Sequence, residues 1–248
     1  MEIDYKEIIG DSRVVFFGEN HSNSPIRVHI AQYAKALKEA GITHYVIEAT
    51  RTEKSIQLLQ SLVNGEPVDL SSIDLGPGGN SEIAVRALAE EGIQVVPVDI
   101  DQDCKPSKEE REAYIAKNIQ AIIASSPNAK VAVLIGRFHA SKKEISGFSY
   151  SAKRIIDAKV PCIVINFAGG TVNGPTRLTV PAEKAGLSNR EFVLDMRRYS
   201  ELEDIPFGPG QTDYVIYLPQ QAIANTNYGT YNNSWDFFDS LFKKQLIV

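Results

Sequence analysis

The chain has 248 residues and a formal net charge of −5; 43% of the residues are hydrophobic and 23% are charged. This is the balance of a globular protein with a substantial core, and its acidic charge argues against nucleic acid as a partner, because nucleic-acid-binding proteins usually carry a basic face. No apolar run approaches the roughly 18 residues that a membrane-spanning helix needs, so we expect no membrane span.

Six apolar runs rich in β-branched residues predict strands. They cover residues 13–17, 44–47, 93–98, 130–135, 161–166 and 213–218. Helical patterns alternate with these runs. This rhythm predicts an α/β fold with a mostly parallel central sheet and helices on both faces, in three layers. The order of the strands within the sheet stays open.

Helix-start signals precede four of the predicted helices. The N-cap candidates are Ser24, Thr52, Asn80 and Ser107. Pro25 suits the first position of the first of these helices, and Gly41 suits its end. Ser107 and Glu110 form a capping box. The caps at Thr52 and Asn80 predict helices near 53–63 and 81–91, and apolar spacing predicts a last helix over 234–246.

No break in composition marks a domain boundary, so we expect a single domain over residues 1–248. Its functional edge would be built mainly from residues 12–170, with 171–248 as an extension that shapes the pocket. Cys104 and Cys162 do not form a disulfide framework, which favours a reducing compartment. No leader pattern follows Met1, and we therefore expect a cytoplasmic protein, with export by a leaderless route as the alternative. The oligomeric state stays open.

One short motif occurs twice. Gly18-Glu19-Asn20-His21 follows the first predicted strand, and Gly136-Arg137-Phe138-His139 follows the fourth. Ligands usually bind at the carboxyl ends of parallel strands, so two histidines in this context predict a functional site there. We interpret the glycine of each motif as the residue that lets the backbone turn sharply out of its strand.

Charged residues also follow the second and third strands. Glu48 and Arg51 end the second, and Asp99 and Asp101 end the third. A carboxylate directly after a buried strand is expensive to bury unpaired, which favours a role for Glu48. Arg51 equally suits a salt bridge with Glu48, and the two aspartates equally suit a loop cap.

These residue types suit two kinds of chemistry. Imidazole and carboxylate are common ligands of Zn, Mn and Fe, and His21, His139 and Glu48 would be the ligands, with weaker support for Asp99 and Asp101. Without a metal ion, a histidine paired with a glutamate activates water as a general base. Arg51 and Arg137 would then bind anionic charge. Of the two other histidines, His29 suits a packing role on the first of the predicted helices. His44 lies at the opposite end of its strand from Glu48, away from the expected site.

The paired motifs resemble a superfamily that joins erythromycin esterases, ChaN-like haem-uptake proteins, TraB/PrgY-type proteins and Tiki proteases. Gly18-Glu19-Asn20-His21 and Val46-Ile47-Glu48-Ala49 are most similar to the erythromycin-esterase and ChaN-like branch, and the resemblance covers roughly residues 12–170. It implies that Glu19, His21, Glu48 and His139 are the site residues. A related module occurs in a large bacterial toxin. Ser22 replaces the glycine that follows the histidine in erythromycin esterases, which argues against a macrolide-specific activity.

Members of this superfamily differ in chemistry, so fold and site transfer better than reaction. The first hypothesis is a hydrolase of ester, amide or peptide bonds, with or without a metal ion, that acts on a small molecule or a peptide. The second is a protein that binds haem or a metal through His21 and His139 without turnover. The third is a non-catalytic interaction module of an effector or toxin system.

Overall fold

A seven-stranded sheet forms the centre of the protein in a computed structural model that describes residues 3–21, 25–77, 79–169, 190–198 and 210–219. The strands are β1 (Val14–Glu19), β2 (His44–Thr50), β3 (Gln94–Asp99), β4 (Val131–Gly136), β5 (Cys162–Gly169), β6 (Phe192–Asp195) and β7 (Tyr214–Leu218). Their order is β3-β2-β4-β1-β5-β7-β6. Only the pairing of β6 with β7 is antiparallel among these strands, so the predicted mostly parallel sheet is confirmed.

Helices cover both faces of this sheet. They are α1 (Tyr5–Ile9), α2 (Pro25–Gln32), α3 (Ala34–Glu39), α4 (Glu53–Val63), α5 (Ser81–Glu90), α6 (Lys108–Ser125) and α7 (Ser151–Asp157). Helices α1 to α5 pack on one face and α6 and α7 on the other. The three predicted layers are confirmed. No helix in the described part of the chain is long and apolar enough to cross a membrane.

Each sheet face has its own hydrophobic core. Along β1, Val15 and Phe17 belong to the core under α1 to α5, whereas Val14 and Phe16 belong to the core under α6 and α7. Successive side chains of a strand point to opposite faces. A strand covered on both sides must therefore be apolar at every position, which explains the unbroken apolar runs in the sequence.

The strand order brings the two repeated motifs together. β1 lies beside β4, with Gly18 opposite Ile135 and Glu19 opposite Gly136. β2 pairs with the other side of β4, so the carboxyl ends of β1, β4 and β2 are neighbours. Helix α6, which connects β3 to β4, begins at this same edge of the sheet.

Several local expectations are confirmed and others are wrong. Thr52 and Ser107 cap α4 and α6 as predicted. Asn80 occupies the N-cap position of α5, but its backbone is left-handed and its side chain makes no capping bond. The helix predicted to end near Gly41 is divided at Tyr33 into α2 and α3. The centroid of the Tyr33 ring lies 4.5 Å from that of the His29 ring. Strand β6 was not predicted. Ser24 and the predicted helix over 234–246 lie outside the described residues.

Candidate functional site

Glu19 and His21 form a hydrogen-bonded pair at the end of β1. The Nδ1 of His21 lies 2.9 Å from the Oε1 of Glu19. That oxygen also accepts a 2.6 Å hydrogen bond from the Nη2 of Arg27, a residue of α2. Glu19 and Arg27 are both buried, so the carboxylate is held by its ion pair and in turn holds the imidazole.

Glu48 is the central residue of the site. Its Oε1 accepts a 2.5 Å hydrogen bond from the Nη2 of Arg111, and its Oε2 accepts a 2.8 Å bond from the backbone nitrogen of Gly136. The Nε2 of His21 lies 3.7 Å from Oε2, and the Nε2 of His139 lies 3.7 Å from Oε1. The two histidines of the repeated motif therefore converge on one buried carboxylate.

A second buried glutamate holds His139. The Nδ1 of His139 lies 2.5 Å from the Oε1 of Glu112 in α6. The other oxygen of Glu112 accepts hydrogen bonds from the backbone nitrogen and the hydroxyl of Ser151, at 2.8 and 2.6 Å. Burial works to raise the pKa of Glu112, but the bonds to His139 and Ser151 outweigh it and lower that pKa. Each imidazole is thus paired through Nδ1 with its own carboxylate.

Arg111 links this arrangement to β3. Its Nε and Nη2 donate to the carboxylate of Asp99 at 3.0 and 2.5 Å. Its Nη1 lies 3.5 Å from the Nε2 of His139. Asp99 and Glu48 are both buried, and one guanidinium is shared between the two carboxylates.

The two motif glycines are required for close packing rather than for a sharp turn. Both lie within strands, and neither has the positive φ that favours glycine, so the interpretation from sequence is wrong. A Cβ on Gly136 would lie 3.0 Å from the Nε2 of His21 and 3.3 Å from the Cδ2 of His139. A Cβ on Gly18 would lie 1.9 Å from the Oδ1 of Asn166. The first glycine makes room for the imidazoles and the second for a neighbouring strand's side chain.

The hydrogen bond to Glu19 raises the pKa of His21. Burial opposes this shift, and the nearby charge of Glu48 adds to it. The side chain of His21 is 39% exposed, against 14% for His139. His21 is therefore the more accessible imidazole, which a substrate would meet first.

The structure places the other predicted residues differently. The alternative of an Arg51–Glu48 salt bridge is wrong, because Arg111 binds Glu48 and the Nη1 of Arg51 donates to the backbone oxygen of Pro97 at 3.2 Å. Asp101 is exposed and caps its loop by accepting a bond from the backbone nitrogen of Asp103. Arg137 follows Gly136 at the site edge and is exposed. A role for Arg51 and Arg137 with anionic substrates stays a prediction.

The two remaining histidines lie away from this cluster. His29 is buried among aromatic rings and hydrogen-bonds Tyr5 and Glu191, at 2.7 and 3.0 Å. His44 begins β2, at the opposite edge of the sheet from Glu48. Burial lowers the pKa of His44.

Three side chains of this candidate site were missed from the sequence: Arg27, Arg111 and Glu112. Glu112 carried a detectable signal, because it lies on the same helical face as Ile115, Ala116, Ile119 and Ile123, all of which are buried. A carboxylate on a buried helix face needs a partner. Arg27 likewise lies among the buried residues of α2. Nothing in the sequence distinguishes Arg111 from the other charged residues around it.

The site does not fit a divalent metal ion as it stands. In the described part of the chain, no group of three or more histidine, cysteine, aspartate or glutamate side chains is arranged to hold one. Both oxygens of Glu48 already accept hydrogen bonds, and the Arg111 cation lies beside the Nε2 of His139. A metal ion would have to displace that guanidinium or bind against its charge.

Haem ligation would use the Nε2 atoms of the paired histidines, because both Nδ1 atoms are bonded to carboxylates. An axial ligand must present a ring nitrogen to an open face where the porphyrin can lie. The Nε2 of His21 lies 3.7 Å from the Oε2 of Glu48, and its side chain is 39% exposed.

Comparisons with known proteins give information about the fold. No protein-family profile and no curated protein matches the chain. A succinoglycan biosynthesis protein aligns with a TM-score of 0.64 at 13% identity, over 87% of this chain and 89% of that one. The type III effector HopBA1 aligns with a TM-score of 0.50 at 14% identity, over 87% and 92%. These likenesses show a shared fold.

Weaker structural matches carry no argument about function. ChaN of Campylobacter jejuni, which binds haem cofacially, aligns with a TM-score of 0.49 at 11% identity, over 87% of this chain and 92% of that one. Bacterial toxin chains that also match are longer, and this chain spans 34% of the length of one of them.

Proposed function

We propose that the protein is a hydrolase of ester, amide or peptide bonds that uses the paired histidines for acid–base chemistry. The observation that supports this is the convergence of the two Nε2 atoms on Glu48, each 3.7 Å from one of its oxygens. Buried carboxylates hold both imidazoles from behind, at Glu19 and Glu112. Such orientation is what a general base needs before it can accept a proton from water.

His21 suits the role of base. When its Nδ1 donates to Glu19, the lone pair lies on Nε2, the atom directed at Glu48. This nitrogen takes a proton from a water molecule, whose oxygen then attacks the carbonyl carbon of the substrate. The Glu19 carboxylate stabilises the imidazolium that forms, since the same hydrogen bond is stronger to the charged ring.

His139 and Arg111 suit the second half of the reaction. The tetrahedral intermediate carries a negative oxygen, and the Arg111 cation lies at this edge to stabilise it. An imidazolium at His139 gives its proton to the leaving oxygen or nitrogen as the bond to carbon breaks. His21 then releases its proton to solvent and His139 regains one from solvent, so each turnover consumes one water and restores both imidazoles.

A panel of chromogenic esters, anilides and peptides tests this proposal. We expect hydrolysis of one class by the wild-type protein and a loss of about 10²–10⁴-fold in His21→Ala and His139→Ala. His44→Ala is the matched control, because this histidine lies at the opposite edge of the same sheet, and it should keep full activity. Full activity in a folded His21→Ala protein would overturn the proposal.

The same variants distinguish the other hypotheses. A Soret band after addition of hemin that is lost in His21→Ala would favour a haem-binding protein. Absence of turnover on every substrate class, together with absence of hemin binding, would favour an interaction module.

A further inference from the structure

We propose that the guanidinium of Arg111 occupies the position of a divalent metal ion, so that the site carries its own cation. The inference deepens the proposed hydrolase, because it names the charge that this reaction would use. It rests on the outer hydrogen bonds of the two imidazoles, on the buried carboxylates beside them, and on the place of Arg111 among these groups.

The spacing of the potential ligands is the first part of the argument. Ligand atoms about 2.1 Å from a tetrahedral metal ion lie roughly 3.4 Å from each other. The Nε2 of His21 lies 3.7 Å from the Oε2 of Glu48, and the Nε2 of His139 lies 3.7 Å from the Oε1, so each imidazole approaches this carboxylate at close to that separation. Arg111 contacts two of these three side chains, with its Nη2 2.5 Å from the Oε1 of Glu48 and its Nη1 3.5 Å from the Nε2 of His139.

The outer hydrogen bonds are the second part. Metal-binding histidines usually donate their other ring nitrogen to a carboxylate, which orients the ring and increases its basicity. Glu19 and Glu112 make such bonds to the Nδ1 atoms of His21 and His139. The imidazoles are therefore oriented as they would be around a metal ion.

The balance of charge is the third part. The Nη2 of Arg111 lies 2.5 Å from an oxygen of Glu48 and 2.5 Å from an oxygen of Asp99. Loss of the guanidinium would leave two buried carboxylates without this counter-charge, next to two imidazoles. Uncompensated buried charge is strongly unfavourable, and a divalent cation bound by the same groups would relieve it.

Calorimetric titration of metal-stripped protein with Zn²⁺ and Mn²⁺ tests the proposal. We expect Arg111→Ala to bind one Zn²⁺ at least about tenfold more tightly than the wild type does. The double variant Arg111→Ala/Glu48→Gln should lose this gain. Arg86→Ala is the control, because Arg86 pairs with Glu82 on the surface of α5, and it should behave like the wild type.

Two results would overturn the proposal. One is stoichiometric metal binding by the wild type that Glu48→Gln abolishes. The other is a folded Arg111→Ala protein that gains no affinity. If Arg111→Ala folds poorly, Arg111→Met keeps most of the side-chain volume, and its Tm should rise with added Zn²⁺ while that of the wild type does not; an unchanged Tm in Arg111→Met would also count against the idea.

Metal binding is measured without any substrate. A negative result in the titration therefore contradicts this inference alone, and a negative result in the substrate assays contradicts the proposed hydrolase alone. Absence of turnover would leave the calorimetric result standing. Where turnover is found, we expect it to survive treatment of the wild type with a chelator.

Discussion

The Nδ1 of His139 and the Oε1 of Glu112 lie 2.5 Å apart, although 27 residues separate them in the chain. Glu112 is completely buried, and its second oxygen binds the first residue of α7, Ser151. One carboxylate therefore orients a site histidine and joins α6 to α7.

Replacement of Glu112 should affect both activity and stability. In Glu112→Gln the side chain keeps its size but loses its charge, so we expect slower hydrolysis with little change in substrate affinity. In Glu112→Ala the buried network is broken, and the free energy of unfolding should fall by about 3–5 kcal/mol. Urea unfolding and steady-state kinetics measure the two effects. Equal stability of Glu112→Ala and wild type would contradict this account.

Glu112 should also make stability depend on pH. Its pKa in the folded protein lies below the ordinary value of 4.5. A group whose pKa is lowered by folding stabilises the protein above its unfolded pKa, and this contribution is lost as the pH falls through the folded pKa. We expect stability to decline as the pH falls below about 4.5, and to decline less steeply in Glu112→Gln. Thermal unfolding from pH 3 to pH 7 tests the difference in slope.

Glu19 should set the pKa of His21. Its hydrogen bond raises that pKa above 6.5, so Glu19→Gln should lower the pKa, and the neighbouring charge of Arg27 will add to the change. The stabilisation from this pair is present below pH 6.5 and is lost as the pH rises through the raised pKa. NMR titration of the His21 ring measures the shift, with Glu82→Gln as a surface control. An unchanged pKa in Glu19→Gln would contradict the assignment.

Gly136→Ala should reduce activity by displacing both imidazoles. The added Cβ would lie 3.0 Å from the Nε2 of His21 and 3.3 Å from the Cδ2 of His139. A misplacement of about 1 Å in a catalytic group costs on the order of 10²-fold in rate. Gly65→Ala is the contrasting control. Gly65 has φ of +81° and open space around its Cβ position, so this variant should lose about 1–2 kcal/mol of stability and no activity.

Gly18 and Asn166 should be coupled in stability. The Cβ of Gly18→Ala would lie 1.9 Å from the Oδ1 of Asn166, and such overpacking costs about 1–3 kcal/mol. Among the residues that the structure describes, the side-chain amide of Asn166 has no hydrogen-bond partner, so Asn166→Ala removes no hydrogen bond from this part of the protein. The double variant should therefore be more stable than Gly18→Ala alone. Urea unfolding of the four proteins measures the coupling, and simple additivity would argue against the contact.

The sequence alone was enough to predict the sheet and the edge where His21, Glu48 and His139 meet. Buried strands between two helix layers must be apolar at every position, so β1 to β5 and β7 are visible as local patterns. Strand β6 was missed because its four residues, Phe192–Asp195, are too short to show such a pattern. The repeated motif predicted the proximity of His21 and His139 correctly, since parallel strands end at one edge.

Only the tertiary structure decided how the site residues are paired. Whether Glu48 binds Arg51 or Arg111 depends on the order of the strands and on where α6 begins, and neither is encoded in a local pattern. The same holds for the pairing of His139 with Glu112. Local patterns follow from burial, which each segment carries in its own composition, whereas a salt bridge depends on the distance between segments that meet only after the chain has folded.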